Sequence, residues 1–168
     1  MQSKWRLSHV QGYLGLGLVA EAAAEFAHLS STERDTTPAL AFRVAICQGQ
    51  QNWPALRDAS IELVRRVPGD VGGWITWAYA VRRSESILAA EEVLRIAETK
   101  HPTEPTIQFN LGCYACLLGD LAEARRRVDH AITLDKNFRS LASTDPDLAP
   151  LREAGWPDKK STPAGLAS

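Results

Sequence analysis

The sequence predicts an all-α protein built as a short solenoid of repeated helical hairpins, and three observations carry that prediction. Shifting the 168-residue chain by 34 places aligns Ala22, Leu56, Ala90 and Ala124 in one column, Phe26, Ser60, Leu94 and Val128 in a second, and Leu29, Leu63, Ala97 and Ala131 in a third. A fixed period of this length fits a helix-turn-helix unit stacked on copies of itself, each too small to bury its apolar face alone. Helix start and stop signals fall at the same spacing, and no run of residues alternates polar and apolar as a strand would.

The punctuation justifies each element in turn. The expected helices lie at about 3–16, 18–30, 38–49, 53–66, 71–83, 86–100, 105–118 and 121–134. Pro38 behind Thr37 and Pro54 behind Asn52-Trp53 mark helix beginnings, where a proline loses no hydrogen bond. Asp120 with Glu123 three residues on resembles a capping box, and Gly119 closes the helix before it. Arg65-Arg66 and Lys100-His101 fall in last turns, where a cation opposes the helix dipole, and Pro68 and Pro102 follow as stops.

The fourth copy is the clearest: Asn110-Leu111-Gly112, then Leu118-Gly119-Asp120-Leu121-Ala122-Glu123-Ala124, then Ala131-Ile132-Thr133-Leu134-Asp135. With Trp74, Ala78, Ala90, Leu94, Ala97 and Pro102 of the third copy, this resembles the tetratricopeptide repeat (TPR) family. The first two copies are more degenerate. The first keeps Tyr13, Gly17, Ala22 and Phe26; the second keeps Trp53, Leu63 and Pro68 but carries Arg43-Val44 where the fourth has Leu111-Gly112. The resemblance implies a right-handed solenoid of four repeats, 3–36, 37–70, 71–104 and 105–138, whose first helices line a concave face. A solenoid end needs cover with a polar outer side. Residues 139–154, with Asp145-Pro146-Asp147-Leu148-Ala149-Pro150-Leu151-Arg152, are the expected C-terminal cap, and 155–168 reads as a disordered tail.

Composition narrows the function classes. With 19 basic and 20 acidic residues, the net charge of −1 gives no electrostatic reason to expect nucleic acid or an anionic membrane. No apolar stretch is long enough to cross a bilayer, so membrane insertion is not expected. Three cysteines make no disulfide framework and point to a reducing, cytoplasmic setting. Lys4 and Arg6 ahead of the apolar run from Tyr13 to Ala20 imitate a signal peptide, but Ser8, His9 and Gln11 interrupt it and the repeat register claims Tyr13 and Ala22.

The candidate site follows from helical geometry. Leu7, Gln11 and Leu14 are spaced i, i+4 and i+7, and so are Ala41, Ala45 and Gln48; Ile75, Tyr79 and Arg82; and Phe109, Cys113 and Cys116, each set 34 residues from the next. With Arg83 and Leu117 at the edge, these stripes make an apolar surface that a monomer seldom leaves bare. The expected activity is non-enzymatic: an adaptor or chaperone-like scaffold taking a peptide or protein segment, with Tyr79 and Phe109 as aromatic anchors and Arg82 and Arg83 meeting a polar or acidic group. An open face predicts that Phe109→Glu removes binding and spares stability. The alternatives are cover by the chain itself and a homodimer through the same surface.

Some TPR proteins clamp the C-terminal carboxylate of chaperones with lysine, asparagine and arginine. The comparable positions here carry Leu7, Gln11, Phe42, Gly72 and Thr76, or Ala41, Ala45, Thr76, Thr106 and Asn110, so a largely apolar ligand is expected. Cys113 and Cys116 have the spacing of a thiol or metal pair but sit inside a helix, where no dipole lowers a thiol pKa and no histidine completes a ligand set. A thiol or metal module built on them is a further alternative to the adaptor. Arg125-Arg126-Arg127 reads as a solvated helix face. His9, His28, His101 and His130 share no column, the glycines follow no strand, and no spacing suggests a catalytic triad, so neither metal, cofactor nor catalytic residue is assigned.

Overall fold

The computed structural model describes residues 2–157, with the side chains of 2–4 left aside. Eleven α-helices and one 3-10 turn make up the described chain, and no strand occurs among these residues. They are α1 (Gln2–Gly15), α2 (Val19–Ala27), α3 (Ser31–Arg34), α4 (Thr37–Gly49), α5 (Trp53–Arg66), α6 (Val71–Ser84), α7 (Ile87–Lys100), α8 (Pro105–Leu117), α9 (Leu121–Leu134), α10 (Phe138–Thr144) and α11 (Ala149–Glu153), with the 3-10 turn at Pro146–Leu148. They gather into two compact units divided between Lys100 and His101.

In the first unit, α1 packs on α2, α4 on α5, α5 on α6 and α6 on α7, so helices adjacent in sequence are adjacent in space. The 34-residue columns are its core. Ala22, Leu56 and Ala90 are fully buried, as are Ser60 and Leu94. Val10, Ala22 and Ile46 form one cluster with Tyr13, Leu14 and Phe42 packed on it, and Leu40, Val44, Leu56, Leu63 and Ala80 belong to a second. Of the departures of the second copy, Val44 thus packs as ordinary core and Arg43 is exposed.

The sequence expected a second helix through residue 30, and the structure divides that span. α2 stops at Ala27 because Ser30 begins a helix of its own: its hydroxyl accepts the Glu33 N–H at 3.3 Å while the Glu33 carboxylate accepts the Ser30 N–H at 2.7 Å. Arg34 then ties the turn back, its Nε donating to the Leu29 carbonyl at 2.8 Å. The next helix starts are capped by side chains. Thr36 receives Ala39, Asn52 receives Ala55 and Asp70 receives Gly72.

In the second unit, α8 and α9 form the helical hairpin with the best match to the family pattern. Gly112 explains how closely they approach: a Cβ there would stand 2.8 Å from Val128 Cγ2 and 3.2 Å from Arg127 Cβ. Ala124, Val128 and Ala131 are fully buried around it. Asp120 caps α9 through the Glu123 N–H at 3.0 Å, but the capping box is one-sided, because the Glu123 carboxylate turns instead to Arg126 and Arg127.

The C-terminal segment is more substantial than one capping helix. α10, the 3-10 turn and α11 fold back on α8 and α9, burying Phe138, Ala142, Leu148 and Leu151. Trp156, which the sequence reading places in the tail, is 5% exposed and donates from Nε1 to Asp129 Oδ1 at 2.9 Å. Ordered packing therefore reaches Trp156. The rest of the expected tail, 158–168, lies outside the described residues.

Candidate functional site

The face of α6 is the one at which the sequence-predicted residues meet chemistry suited to recognition. Ile75, Tyr79 and Arg82 are half-buried and Arg83 is exposed. Tyr79 meets the ring of Trp53, at the start of α5, edge to face with centroids 5.6 Å apart. The Arg83 guanidinium lies 4.5 Å from the Trp53 ring centroid and 6.0 Å from that of Tyr79, and its Nη1 donates to the Tyr79 hydroxyl at 3.4 Å. An arginine held over an indole face keeps its charge while its long side chain loses conformational freedom in advance of any contact.

One turn away, Arg57 pairs with Glu85 at 2.7 Å and fixes the end of α6 against α5. Behind the face, Trp74 and Trp77 stack at 5.5 Å, and the Trp74 Nε1 donates to the Pro68 carbonyl at 3.0 Å. Tyr79 and Arg83 therefore project from a helix braced on both sides.

Trp53 is the site residue that sequence reasoning left among the packing positions. Its counterparts in the other copies are Val19, Ile87 and Leu121. An indole at a position otherwise aliphatic, next to a tyrosine stripe in the following helix, was the available signal.

The other stripes differ. On α1, Leu7 and Leu14 are half-buried and Gln11 is exposed; on α4, Ala41 and Gln48 are exposed and Ala45 is half-buried. Leu14 packs toward the core of Val10, Ala22 and Ile46. Neither stripe carries an aromatic side chain or a charge.

On α8 the expectation fails. Phe109, Cys113 and Cys116 are 5%, 3% and 3% exposed, and only Leu117 of that group remains open. Phe109 packs its ring on Phe138 at 5.1 Å. Cys113 Sγ and carboxylate oxygens of Asp145 and Asp147 lie within 4.8 Å of one another, and the Cys116 thiol is reached by the backbone of Leu151. The chain's own C-terminal segment covers this face. Phe109 is a core residue, not an anchor awaiting a partner.

This cover also bears on the thiols. Burial pushes Cys116 above the ordinary thiol range, and Cys47 likewise. That is opposite to the shift a reactive cysteine needs. Asp145 Oδ1 in addition accepts the Asp147 N–H at 2.9 Å as the cap of the 3-10 turn.

Arg127 corrects another expectation. It is 5% exposed rather than solvated, donating from Nη1 to Gln108 Oε1 at 2.8 Å and from Nε to Glu123 Oε1 at 2.7 Å. Gln108 is itself 2% exposed. The pair is a polar bolt through the α8–α9 hairpin, and Arg126 adds two bonds to Glu123 at 2.7 Å. These contacts hold Glu123 well below the usual carboxylate range, at about 2.

No family model and no curated protein sequence matches the chain. Solved structures do. TTC0263, a thermophilic TPR protein of Thermus thermophilus, superposes with a TM-score of 0.66 over 90% of this chain and 82% of its own, at 20% identity. A structure described as MamA MSR-1 C2 superposes with a TM-score of 0.63 over 92% of this chain and 95% of its own, at 12% identity. The fold is thereby fixed: an all-α chain with the tetratricopeptide-repeat arrangement of helices. At these identities the likeness concerns the backbone, and the ligand must be argued from side chains. No helix among the described residues is long and apolar enough to cross a membrane.

Proposed function

We propose that the chain is a non-enzymatic adaptor that holds a segment of another protein against the α6 face of the first unit, with Tyr79 and Trp53 as aromatic contacts and Arg83 as the charged one. The observation carrying this reading is the cluster itself. Tryptophan, tyrosine and arginine are the residue types that dominate binding energy in interfaces, and here they stand together, braced from behind and partly open, on the helix face where the stripe was expected.

Affinity capture from the native cell lysate tests it, comparing wild type with Tyr79→Glu/Arg83→Glu after matching the helicity of the two. A specific protein retained by the first and lost from the second supports the adaptor reading. Equal retention of every protein overturns it.

A second reading, self-association, rests on α1. Trp5 is 68% and Leu16 75% exposed; Leu16 lines a shallow cleft with Ser8, His9, Gly12 and Tyr13, and Trp5 meets His9 edge to face at 6.1 Å. A mass that rises with concentration, and returns to that of the monomer with Trp5→Ser/Leu16→Ser, would favour it.

A further inference from the structure

Helix α1 bares a ridge that α4 and α6 bury. At the 34-residue spacing Trp5 stands with Ala39 and Gly73, and Gly12 with Ile46 and Ala80. Every one of these counterparts is buried. Ile46 joins Val10 and Ala22 in one core cluster, and Ala80 joins Leu56 and Leu63 in another. A Cβ at Gly73 would stand 3.2 Å from Val64 Cγ2 on α5. This ridge is therefore the one by which a hairpin stacks on the hairpin before it. On α1 it is open: Trp5 and Gly12 are exposed, and a Cβ at Gly12 would meet nothing within 4 Å. An uncovered stacking surface is what a solenoid end normally avoids.

Trp5, His9, Gly12 and Leu16 follow one another at i, i+4, i+7 and i+11, along one side of the helix. Leu16 lies just past α1, but its N–H still donates to the Gly12 carbonyl at 3.2 Å, so the helical spacing carries to it. The ridge thus has bulk at both ends and a notch at Gly12. It includes no Lys, Arg, Asp or Glu; the neighbouring Arg6 is paired with Glu25 at 3.3 Å, and the same carboxylate stands 3.9 Å from His9 Nδ1. A ridge of this shape complements itself without opposing like charges. Turned end for end about a twofold axis between His9 and Gly12, one copy sets Trp5 on the partner's Leu16 and His9 into the notch at the partner's Gly12, and each contact occurs twice. The surface of α8 and α9 on which a further hairpin would stack is taken by α10, the 3-10 turn and α11. A second copy therefore meets the first head to head rather than head to tail, and the association closes at two.

From this shape we propose that the chain forms a closed twofold dimer in which the α1 ridges of two copies pair antiparallel, Trp5 against the partner's Leu16 and His9 against the partner's Gly12. The inference rests on the self-association reading of α1 and adds to it the orientation, the residue pairing and the closure at two copies. It uses none of Trp53, Tyr79 and Arg83, so a dimer presents the adaptor face twice and gains avidity for any partner that offers two segments.

Sedimentation equilibrium on the full chain, from low micromolar to submillimolar concentration, reads the mass. The wild type is expected to approach twice the mass of one chain. Trp5→Glu alone and Leu16→Lys alone should each weaken the dimer about tenfold or more; both side chains are exposed, and circular dichroism checks that each variant keeps its helicity. Mixed in equal amounts, the two variants should regain the dimer. The antiparallel pairing then sets the introduced carboxylate against the introduced ammonium and leaves the other Trp5–Leu16 contact intact. A monomer at every concentration overturns this arrangement and the self-association reading together, as does a dimer indifferent to both substitutions. A dimer dissociated by each substitution but not restored by mixing leaves the self-association reading standing and overturns the antiparallel pairing. A mass that climbs past two copies overturns the closure. A wild type that is monomeric until residues 158–168 are removed would make that segment the occupant of the ridge, and the second copy falls.

Discussion

α6 and α8 occupy equivalent places in successive repeats, yet one presents a partly open aromatic-arginine face and the other is sealed by residues 138–151. The difference begins in the side chains. Phe109, Cys113 and Cys116 are apolar or weakly polar and lose little on being covered, whereas Tyr79, Arg82 and Arg83 carry a hydroxyl and two charges that would have to leave water. An intramolecular cap belongs on the first kind of face. A reversible partner, recognised partly by charge, belongs on the second.

The largest expected effect separates the two faces by stability. Phe109→Ala should cost about 3–5 kcal/mol, as the truncation of a buried aromatic core residue does. Tyr79→Ala should cost only about 1–2 kcal/mol, the loss of partial burial and one edge-to-face contact. Urea unfolding of the two variants measures both. Equal losses would mean that α6 is as much core as α8, and the comparison would break. Phe109→Glu, expected from sequence alone to spare stability, should unfold the second unit.

Next in size is a dependence on acid that the α8–α9 hairpin should show. Glu123 holds Arg126 and Arg127, and its pKa falls from 4.5 to about 2. The depressed value means that the folded state binds the proton less readily than the unfolded state. The associated stability is therefore complete above about 4.5 and is lost as pH falls from there toward 2. Its size is on the order of 1–3 kcal/mol, since the carboxylate is only a quarter exposed. Melting temperature against pH should lose this acid limb in Glu123→Gln. The residues at this place in the second and third copies are Ala55 and Ala89, which have nothing to titrate.

How much of this was legible in the sequence divides along physical lines. The columns at Ala22, Leu56 and Leu94 could be read because burial at a helix contact constrains size and polarity at a fixed spacing. Asn52 and Asp120 could be read because a capping residue acts on its own next turn, whereas Thr37, the cap the sequence suggests for α4, lies one place past the actual cap at Thr36. The fate of Phe109 could not. Its burial depends on Phe138, brought back by a turn at 145–147, and a stripe that looks apolar in sequence is the same whether it faces water or the chain's own end. Arg127 was misread for a related reason: three consecutive arginines point in three directions on a helix, and only the position of Gln108 across the hairpin shows which is inside. Trp156 is one apolar residue among small and polar ones, too sparse a signal to announce packing.

A smaller effect compares the hairpins α4–α5 and α8–α9 in their second core column. Ser60 is fully buried where the fourth copy has Val128, and its hydroxyl has no hydrogen-bond partner. A buried orphan hydroxyl destabilises. Ser60→Ala should therefore raise stability by about 1 kcal/mol, while Val128→Ala, which leaves a hole instead, should lower it by about 1–3 kcal/mol. Opposite signs at one column would show that the second hairpin departs from the repeat at a cost.

The smallest effect lies in the left-handed turn that closes α1, α4 and α8. Gly119 has φ +88° and ends α8 with two bonds: its own N–H donates to the Cys116 carbonyl at 3.1 Å and that of Asp120 to the Ala115 carbonyl at 2.9 Å. Gly17 (φ +75°) makes the same pair of bonds after α1. At the equivalent place after α4 stands Gln51, with φ +55° and the same two bonds, to Gln48 and Cys47, each 3.0 Å. The backbone thus keeps the left-handed turn although the residue is not glycine, because the neighbouring helices and the Asn52 cap over-determine it. Gln51→Gly should relieve that strain and gain about 0.5–1 kcal/mol, and Gly119→Ala should lose about 1 kcal/mol. Thermal unfolding of both variants reads the difference. A loss at Gln51→Gly would mean that the glutamine side chain contributes more than its backbone costs, and that the second hairpin is adapted at this turn rather than strained.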